Sequence, residues 1–377
     1  MSIETRFMDI ADLKARAKRR LPHFVWEFLD SGTGQEQTKS RNRAALDQVL
    51  LTPSILHGEI TPDLTATFLA KTYALPIGIA PVGMSGLIWP RAEHHLSCAA
   101  TALNIPYTLS NMAAETPEAI GPNLNGNGWF QLYPPRDPVI RADLLKRARD
   151  CGFSTLVFTV DIPVASRRER QIRSGLTQPP KLSPRIIAQS AIRPAWALGM
   201  LAHGKPHMKT LDAYTANSGK PNSPTQHIGY QMRVAPDWTY LRKLRDLWDG
   251  PLIVKGVLDP ATIPELQSHG ADAIWVSNHA GRQFDAAPAT IEVLPHIRAA
   301  TDLPLICDGG AESGLDILRA FAMGADFVMM GRSWHYAIAA LGPRGIAHFA
   351  GIVKNDLIAN MGQLGLSRPD QAKTRLR

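Results

Sequence analysis

The sequence predicts a (β/α)₈ barrel with a helical lead-in at its amino-terminal end and a long insertion after the fourth strand. Three observations carry that prediction. Eight short runs rich in apolar and β-branched residues recur between residues 75 and 332. Most of the intervals between them carry helical spacing. Each run also ends in residues of chemical interest, which suits a barrel because all its strand ends open on one face.

Taken in order, Asp9 is placed to cap a helix whose stripe Ile10, Leu13, Ala17 and Leu21 has helical spacing and which Pro22 closes. The lead-in continues to about residue 70. The runs then follow as LPIGIAP at 75–81, IPYTLS at 105–110, WFQLY at 129–133 and STLVFTVD at 154–161. PLIVKG at 251–256, DAIWVSNH at 272–279, LPLICDGG at 303–310 and DFVMMGR at 326–332 complete the eight. Intervals such as RADLLKRARDCG at 141–152 and SGLDILRAFAMGA at 313–325 read as helices. A doubly wound open sheet would give the same alternation, but it gathers its chemistry at one switch point. Here the polar residues spread over every end: Gly83, Ser110, Gln131 with Tyr133, Thr159 with Asp161, Lys255, Ser277 with His279, Asp308 with two glycines, and Gly331 with Arg332.

The ninety or so residues between Asp161 and Pro251 are too many for one loop. The stretch 175–235 is rich in Pro, Gly, Ser and Asn and includes RIIAQSAIRPAWALGMLAHG at 185–204. It reads as a lid, with bounds of about 170–235, packed over the barrel mouth. An apolar, basic membrane-contact segment is the second reading, weakened by Arg193 and the prolines, which break a long amphipathic helix. The closing SRPDQAKTRLR reads as a flexible basic tail. The chain is expected to be one domain over 1–377, with the barrel at about 75–345.

Composition narrows the function. The chain has 41 Lys and Arg against 33 Asp and Glu, a net charge of +8 spread from end to end. A nucleic-acid stripe is not expected; an anionic substrate, an anionic cofactor or an acidic membrane surface is. Cys98, Cys151 and Cys307 are far apart with no CxxC, which argues against a disulfide framework and a zinc site and for a reducing compartment. The first twenty residues, MSIETRFMDIADLKARAKRR, lack a signal peptide's apolar core, and no apolar run approaches the roughly 18 residues of a membrane span. The expectation is a cytoplasmic protein, at most peripheral on the inner face of the membrane.

Three groups carry chemistry. DGGAESG at 308–314 and MGRSW at 330–334 each precede a helix, so backbone N–H groups, helix N-termini and the Arg332 fork suit a phosphate. In SNHAGRQFD at 277–285, His279 suits proton exchange and Arg282 suits bidentate grip of a carboxylate, with Asp161 placed to orient the imidazole. Arg168, in SRRER, reads on its own as part of a surface charge run. Lys255 ends a buried-looking run and needs an electron-rich partner, through Schiff-base chemistry or by stabilising a reduced ring; the residues leave both open.

The segments FQLY at 130–133, TVDIP at 159–163, VKGV at 254–257, SNHAGRQ at 277–283, DGG at 308–310 and MGR at 330–332 resemble the signatures of the FMN-dependent 2-hydroxy acid dehydrogenases and oxidases. The likeness runs from LPHFVWEFLDSG, beginning at residue 21, to about residue 365. It implies an enzyme that oxidises a small L-2-hydroxy acid, lactate- or mandelate-like, with FMN. The cofactor would be held by Pro81, Val82, Gly83, Ser110, Gln131, Thr159, Lys255 and Ser277 at the ring and by Asp308, Gly309, Gly310, Gly331 and Arg332 toward the phosphate. Arg168, Arg282 and Tyr133 would grip the substrate carboxylate, and His279 paired with Asp161 would be the base. The family is commonly tetrameric, which implies a homo-oligomer.

Three positions depart from the family pattern. Phe28 stands where a substrate-facing tyrosine is usual, Glu312 replaces the arginine after DGG, and Ala280 replaces a glycine. Gly83 matches the lactate and mandelate dehydrogenases, where glycolate oxidase has alanine, and so implies electron transfer to a quinone or cytochrome. The rival readings are an oxidase that releases peroxide, a non-redox barrel isomerase or aldolase using Lys255, and a flavin-binding protein without turnover.

Overall fold

The computed structural model describes residues 2–176, 183–214 and 234–377. A hairpin of β1 (Ala66–Phe68) and β2 (Lys71–Tyr73) precedes eight barrel strands. These are β3 (Ile77–Ile79), β4 (Tyr107–Ser110), β5 (Gly128–Leu132), β6 (Thr155–Thr159), β7 (Leu252–Val257), β8 (Ala273–Val276), β9 (Leu305–Cys307) and β10 (Phe327–Met330). All pairings are parallel, and β10 closes the ring onto β3 through Val328, Met329 and Met330 against Ile77, Gly78 and Ile79. Every predicted run holds its strand to within one residue, so the (β/α)₈ architecture is as read from the sequence.

The hairpin plugs the amino-terminal mouth. Phe68 packs 5.8 Å from Trp129 and 5.3 Å from Phe327, at the starts of β5 and β10, and Trp129 Nε1 donates to Tyr73 Oη at 3.3 Å. Above this plug Val157, Ile253, Trp275, Ile306 and Met329 fill the interior, so the opposite end is left for chemistry. The helix Ile10–Arg20 forms as expected, with the Asp9 carboxylate accepting from Asp12 N. It packs along the last barrel helix, Arg332–Leu341, where Arg16 Nε donates to Ala340 O at 2.8 Å near that helix's negative end.

Within the insertion the chain forms two short helices, Pro184–Ala191 and Pro194–His203, broken where Pro194 follows Arg193. The insertion is pinned to the barrel: Trp196 Nε1, on the second of these helices, donates to Leu87 O at 3.1 Å, and Lys209, at the start of a further short helix Lys209–Asp212, meets Glu115 at 2.9 Å. The parts of the expected insertion at 177–182 and 215–233 lie outside the described residues. Among the described residues no helix is long and apolar enough to cross a membrane.

The basic tail corrects an expectation. Residues Pro369–Arg375 form a 3₁₀ helix with Ala372 fully buried, Thr52 N donates to Arg375 O at 2.7 Å, and Leu376 bridges Leu51. Apolar residues interleaved with the charges give the segment a face to bury, and composition alone hid it.

Candidate active site

The pair His279–Asp161 forms because of an unusual stretch of backbone. His279, Ala280 and Gly281 all have positive φ, at 55°, 52° and 74°, which turns the chain sharply after β8. The turn is braced by a reciprocal amide pair, Asn42 with Asn278, at 2.9 and 2.7 Å, and by His279 N donating to Ser277 Oγ at 3.1 Å. His279 Nδ1 then lies 3.0 and 3.1 Å from the two Asp161 oxygens. A carboxylate only accepts, so Nδ1 carries the hydrogen and Nε2 keeps its lone pair. Nε2 lies 3.5 Å from the Tyr133 hydroxyl, with the two rings stacked. Gly256 makes room for the carboxylate: at φ +107°, a Cβ there would sit 2.5 Å from that of Asp161. Burial pulls the imidazole below its ordinary 6.5, and Asp161 opposes that without reversing it. For Asp161 burial pushes upward, but His279 and then Lys255 outweigh it and leave the carboxyl below its ordinary value.

A cluster of guanidinium groups faces the same space. The Arg282 Nη1 atom donates to the carbonyls of Phe28 and Ser31, both at 2.9 Å, and its guanidinium carbon lies 5.8 Å from the Phe28 ring. Arg332 gives three of its five N–H groups to the carbonyls of Leu29, Ala280 and Ser31, leaving two for a phosphate. Both arginines thus use carbonyls around the carboxyl end of the helix His23–Asp30, where unpaired C=O groups carry partial negative charge. Burial, and next the charges of Arg168 and Arg332, push Arg282 well below the ordinary guanidinium value. Such a site is incomplete without an anion. Arg168 adopts φ 46° beside the short helix Glu169–Arg173 and donates from Nε to Ser166 Oγ at 3.0 Å.

These groups meet in one cavity of about 590 Å³, within the range of about 300–1,000 Å³ usual for small-molecule sites. Every predicted site residue lines it except Ser110, Gln131 and Ser277, which are buried, and Asp161, which is half-buried behind His279. Lys255 Nζ has the partners its burial demands: Ser277 Oγ at 2.6 Å and Asp308 Oδ2 at 2.9 Å. Two buried acceptors, Gln131 Oε1 and Asp308 Oδ1, have no partner among the described residues. Ring N–H and sugar-alcohol hydroxyl groups are donors of the kind they call for. Gly309 and Gly310 have φ of 96° and 110°, and a Cβ at Gly309 would meet Thr290 Oγ1 at 2.9 Å, so only glycine suits this loop. The donor set therefore fits a flavin with a phosphate tail.

Gly83 is different. Its φ is ordinary, so no turn requires glycine; a Cβ there would stand 3.2 Å from the Met112 Cβ. Phe28 and Glu312 both line the cavity, and Glu312 N donates to Asp316 Oδ2 at 2.9 Å. Sequence reasoning missed the lead-in's share of the site. Asn42 braces the His279 turn, and Arg43 bonds Gly310 O at 3.0 Å and Asp316 at 2.7 Å. Arg170 ties Glu27, Asp30 and Glu36 together beneath Arg168. The helix of Asn42 and Arg43, QTKSRNRAALDQ, reads as a solvated charged face, and nothing in that spacing marks them.

A family model described as FMN-dependent dehydrogenase matches residues 17–376. An L-lactate dehydrogenase of Acinetobacter baumannii is 36% identical over 359 residues, covering 94% of this chain and 93% of that protein. Among solved structures, (S)-mandelate dehydrogenase, described as a monotopic membrane protein, matches with a TM-score of 0.92 at 30% identity, over 98% of this chain and 99% of that one. A mandelate oxidase matches with a TM-score of 0.83 at 30% identity, over 98% of each chain.

Proposed function

The chain belongs to the FMN-dependent dehydrogenase family, and from that premise we propose that it oxidises an L-2-hydroxy acid to the 2-oxo acid with His279 as the base. The observation that carries this reading is His279 Nε2, turned into the cavity by its Asp161 bridge and flanked by Tyr133 and two arginines. Arg168 and Arg282 hold the substrate carboxylate, supplying the anion that the cationic cluster lacks. Tyr133 shares in that grip through its hydroxyl, beside His279 Nε2. Nε2 takes one proton, and Asp161 stabilises the imidazolium that results. FMN, when bound, accepts the electron pair and the second hydrogen. Hydride and carbanion routes both deliver one proton to Nε2 and use the same residues.

Lys255, Ser110, Gln131, Thr159, Ser277 and the backbone of Pro81, Val82 and Gly83 hold the ring in this reading. Gly309, Gly310, Gly331 and Arg332 hold the phosphate, and Asp308 the ribityl chain. The Asp308 carboxylate occupies Lys255, which disfavours the aldolase reading. The chain acts as a single domain, as a homo-oligomer, with quinone or cytochrome as electron acceptor. Ile187, Ile192, Leu198 and Leu201, each at least 58% exposed, lie on the insertion beside Arg185 and Arg193. Together with the monotopic relative they support peripheral docking on the inner face of an acidic membrane. A second reading, an oxidase, is favoured by the likeness to mandelate oxidase. Anaerobic bleaching of the bound flavin by a 2-hydroxy acid tests the first; peroxide formed in air at the bleaching rate would establish the second. His279→Gln should keep the yellow cofactor and lose the bleaching, and undiminished bleaching removes His279 from the reaction.

A further inference from the structure

Beyond the groups that grip the carboxylate and hydroxyl, the cavity wall changes character. Met84 follows β3, Met112 follows β4, and Leu176 and Met208 belong to the insertion; all four are half-buried and line the cavity. The four are brought together from separate segments. Met84 N donates to Met112 O at 3.1 Å, which locks the two barrel loops to each other. On the insertion side Met208 immediately precedes Lys209 and Thr210, which fasten to the side chain and carbonyl of Glu115. None of the four carries a charge or a hydrogen-bonding side chain, and the paired carboxylates of Asp161 and Asp308 are already spent on His279 and Lys255.

We propose that this wall is the side-chain subsite and that it selects a 2-hydroxy acid with an apolar chain of four or more carbons. The proposal rests on the reading of the cavity as a 2-hydroxy acid site. With the carboxylate fixed by Arg168 and Arg282, a methyl side chain leaves the four apolar groups facing water. A longer chain covers them, and each methylene removed from water raises kcat/KM about fourfold. The three thioethers are unbranched and polarisable, so they mould to a chain of variable length instead of imposing one shape. A second carboxylate on the substrate would lie against these four apolar side chains, which disfavours dicarboxylic hydroxy acids.

The test uses the purified holoprotein. Anaerobic bleaching is followed with L-lactate, L-2-hydroxyhexanoate and L-malate, and calorimetry reads the binding of pyruvate and 2-oxohexanoate. The three added methylenes predict that 2-hydroxyhexanoate exceeds lactate about 60-fold in kcat/KM and that the oxo acids rank in the same order. Malate falls below lactate. Met208→Ser and Leu176→Ser each lower the hexanoate-to-lactate ratio at least threefold; should either fail to fold, the native series decides. Lactate matching hexanoate in both assays, or malate matching it in bleaching, overturns the proposal and leaves the dehydrogenase reading intact. Bleaching by none of the acids, at any chain length, overturns the reading and the proposal together.

Discussion

Asp161→Asn removes the charge that faces the imidazole proposed as the base and leaves its shape. The native oxygens lie 3.0 and 3.1 Å from His279 Nδ1, and a unit charge pair at that separation is worth at most about 5.5 kcal/mol at an effective dielectric of about 20. An amide oxygen recovers roughly 1 kcal/mol as a neutral hydrogen bond. The imidazolium formed as Nε2 takes its proton therefore loses about 4 kcal/mol of stabilisation, a drop of about 10³ in rate. The pH profile has a determined sign. The base must be neutral, and burial already holds His279 below 6.5. In the native enzyme kcat/KM falls as pH drops through that lowered value. Without Asp161, which opposes the lowering, the acid limb moves to still lower pH while the plateau falls. Anaerobic stopped-flow bleaching from pH 5 to 9 reads both effects. A variant within tenfold of the native plateau, or an acid limb that moves upward, refutes the assignment of Asp161 as the partner that stabilises the charged base.

Phe28→Tyr places a hydroxyl in the cavity near the carboxylate grip and should tighten binding of lactate about 10- to 100-fold, the worth of one hydrogen bond to an anion; unchanged or weaker affinity shows that this ring does not face the carboxylate. Lys255→Met strands the buried Asp308 carboxylate, so unfolding in urea should show a loss of about 3–5 kcal/mol, and native stability would mean that the pair is solvated. Ala280→Gly relieves a side chain held at φ 52° and should raise stability by about 1 kcal/mol; a lower urea midpoint would place the turn's strain elsewhere. Leu198→Asp with Leu201→Asp should abolish co-sedimentation with vesicles containing anionic lipid, and retained binding would move the contact off this helix.

The barrel was legible because its signal is redundant. Each strand is mainly apolar, with its polar residues gathered at the ends, and eight such runs agree. The hairpin of β1 and β2 escaped because ATF and KTY are only three residues each and mix polar with apolar types. Its role as a plug depends on Phe68 and Tyr73 meeting Trp129 and Phe327, contacts distant in sequence. That the strand-end residues converge on one cavity was legible for the same topological reason. The unexpected positive φ of His279 and Ala280 was not, since nothing in SNHAGRQ requires alanine to turn that way. Gly83 shows the reverse: its type suggested a turn or a neighbour, and only its ordinary φ and the 3.2 Å clearance to Met112 separate the two.

The least legible part is the one that makes the cationic site stable. Three of the cations at or beside the cavity end on the carboxyl terminus of one short lead-in helix: Arg282 on Phe28 O and Ser31 O, Arg332 on Leu29 O and Ser31 O, and Lys39 on Asp30 O. Acidic side chains at the cavity would neutralise the arginines just as well, but they would also compete with the substrate carboxylate and the cofactor phosphate for the same N–H groups. Helix-end carbonyls satisfy donors while contributing only partial charge, worth up to about 2 kcal/mol where partly buried. The carboxylates around this helix lie one layer back, where Asp30 meets Lys39 at 3.0 Å and Tyr336 Oη at 2.8 Å, and Glu27 and Glu36 meet Arg170. Asp308 and Glu312 do line the cavity; Asp308 bonds Lys255 through its carboxylate, and Glu312 bonds Asp316 through its backbone N–H. The arrangement keeps the guanidinium groups ordered yet short of negative charge, and that shortage is what an anionic substrate and an anionic cofactor relieve on binding. The helix His23–Asp30 is therefore part of the site's electrostatics as much as any strand end.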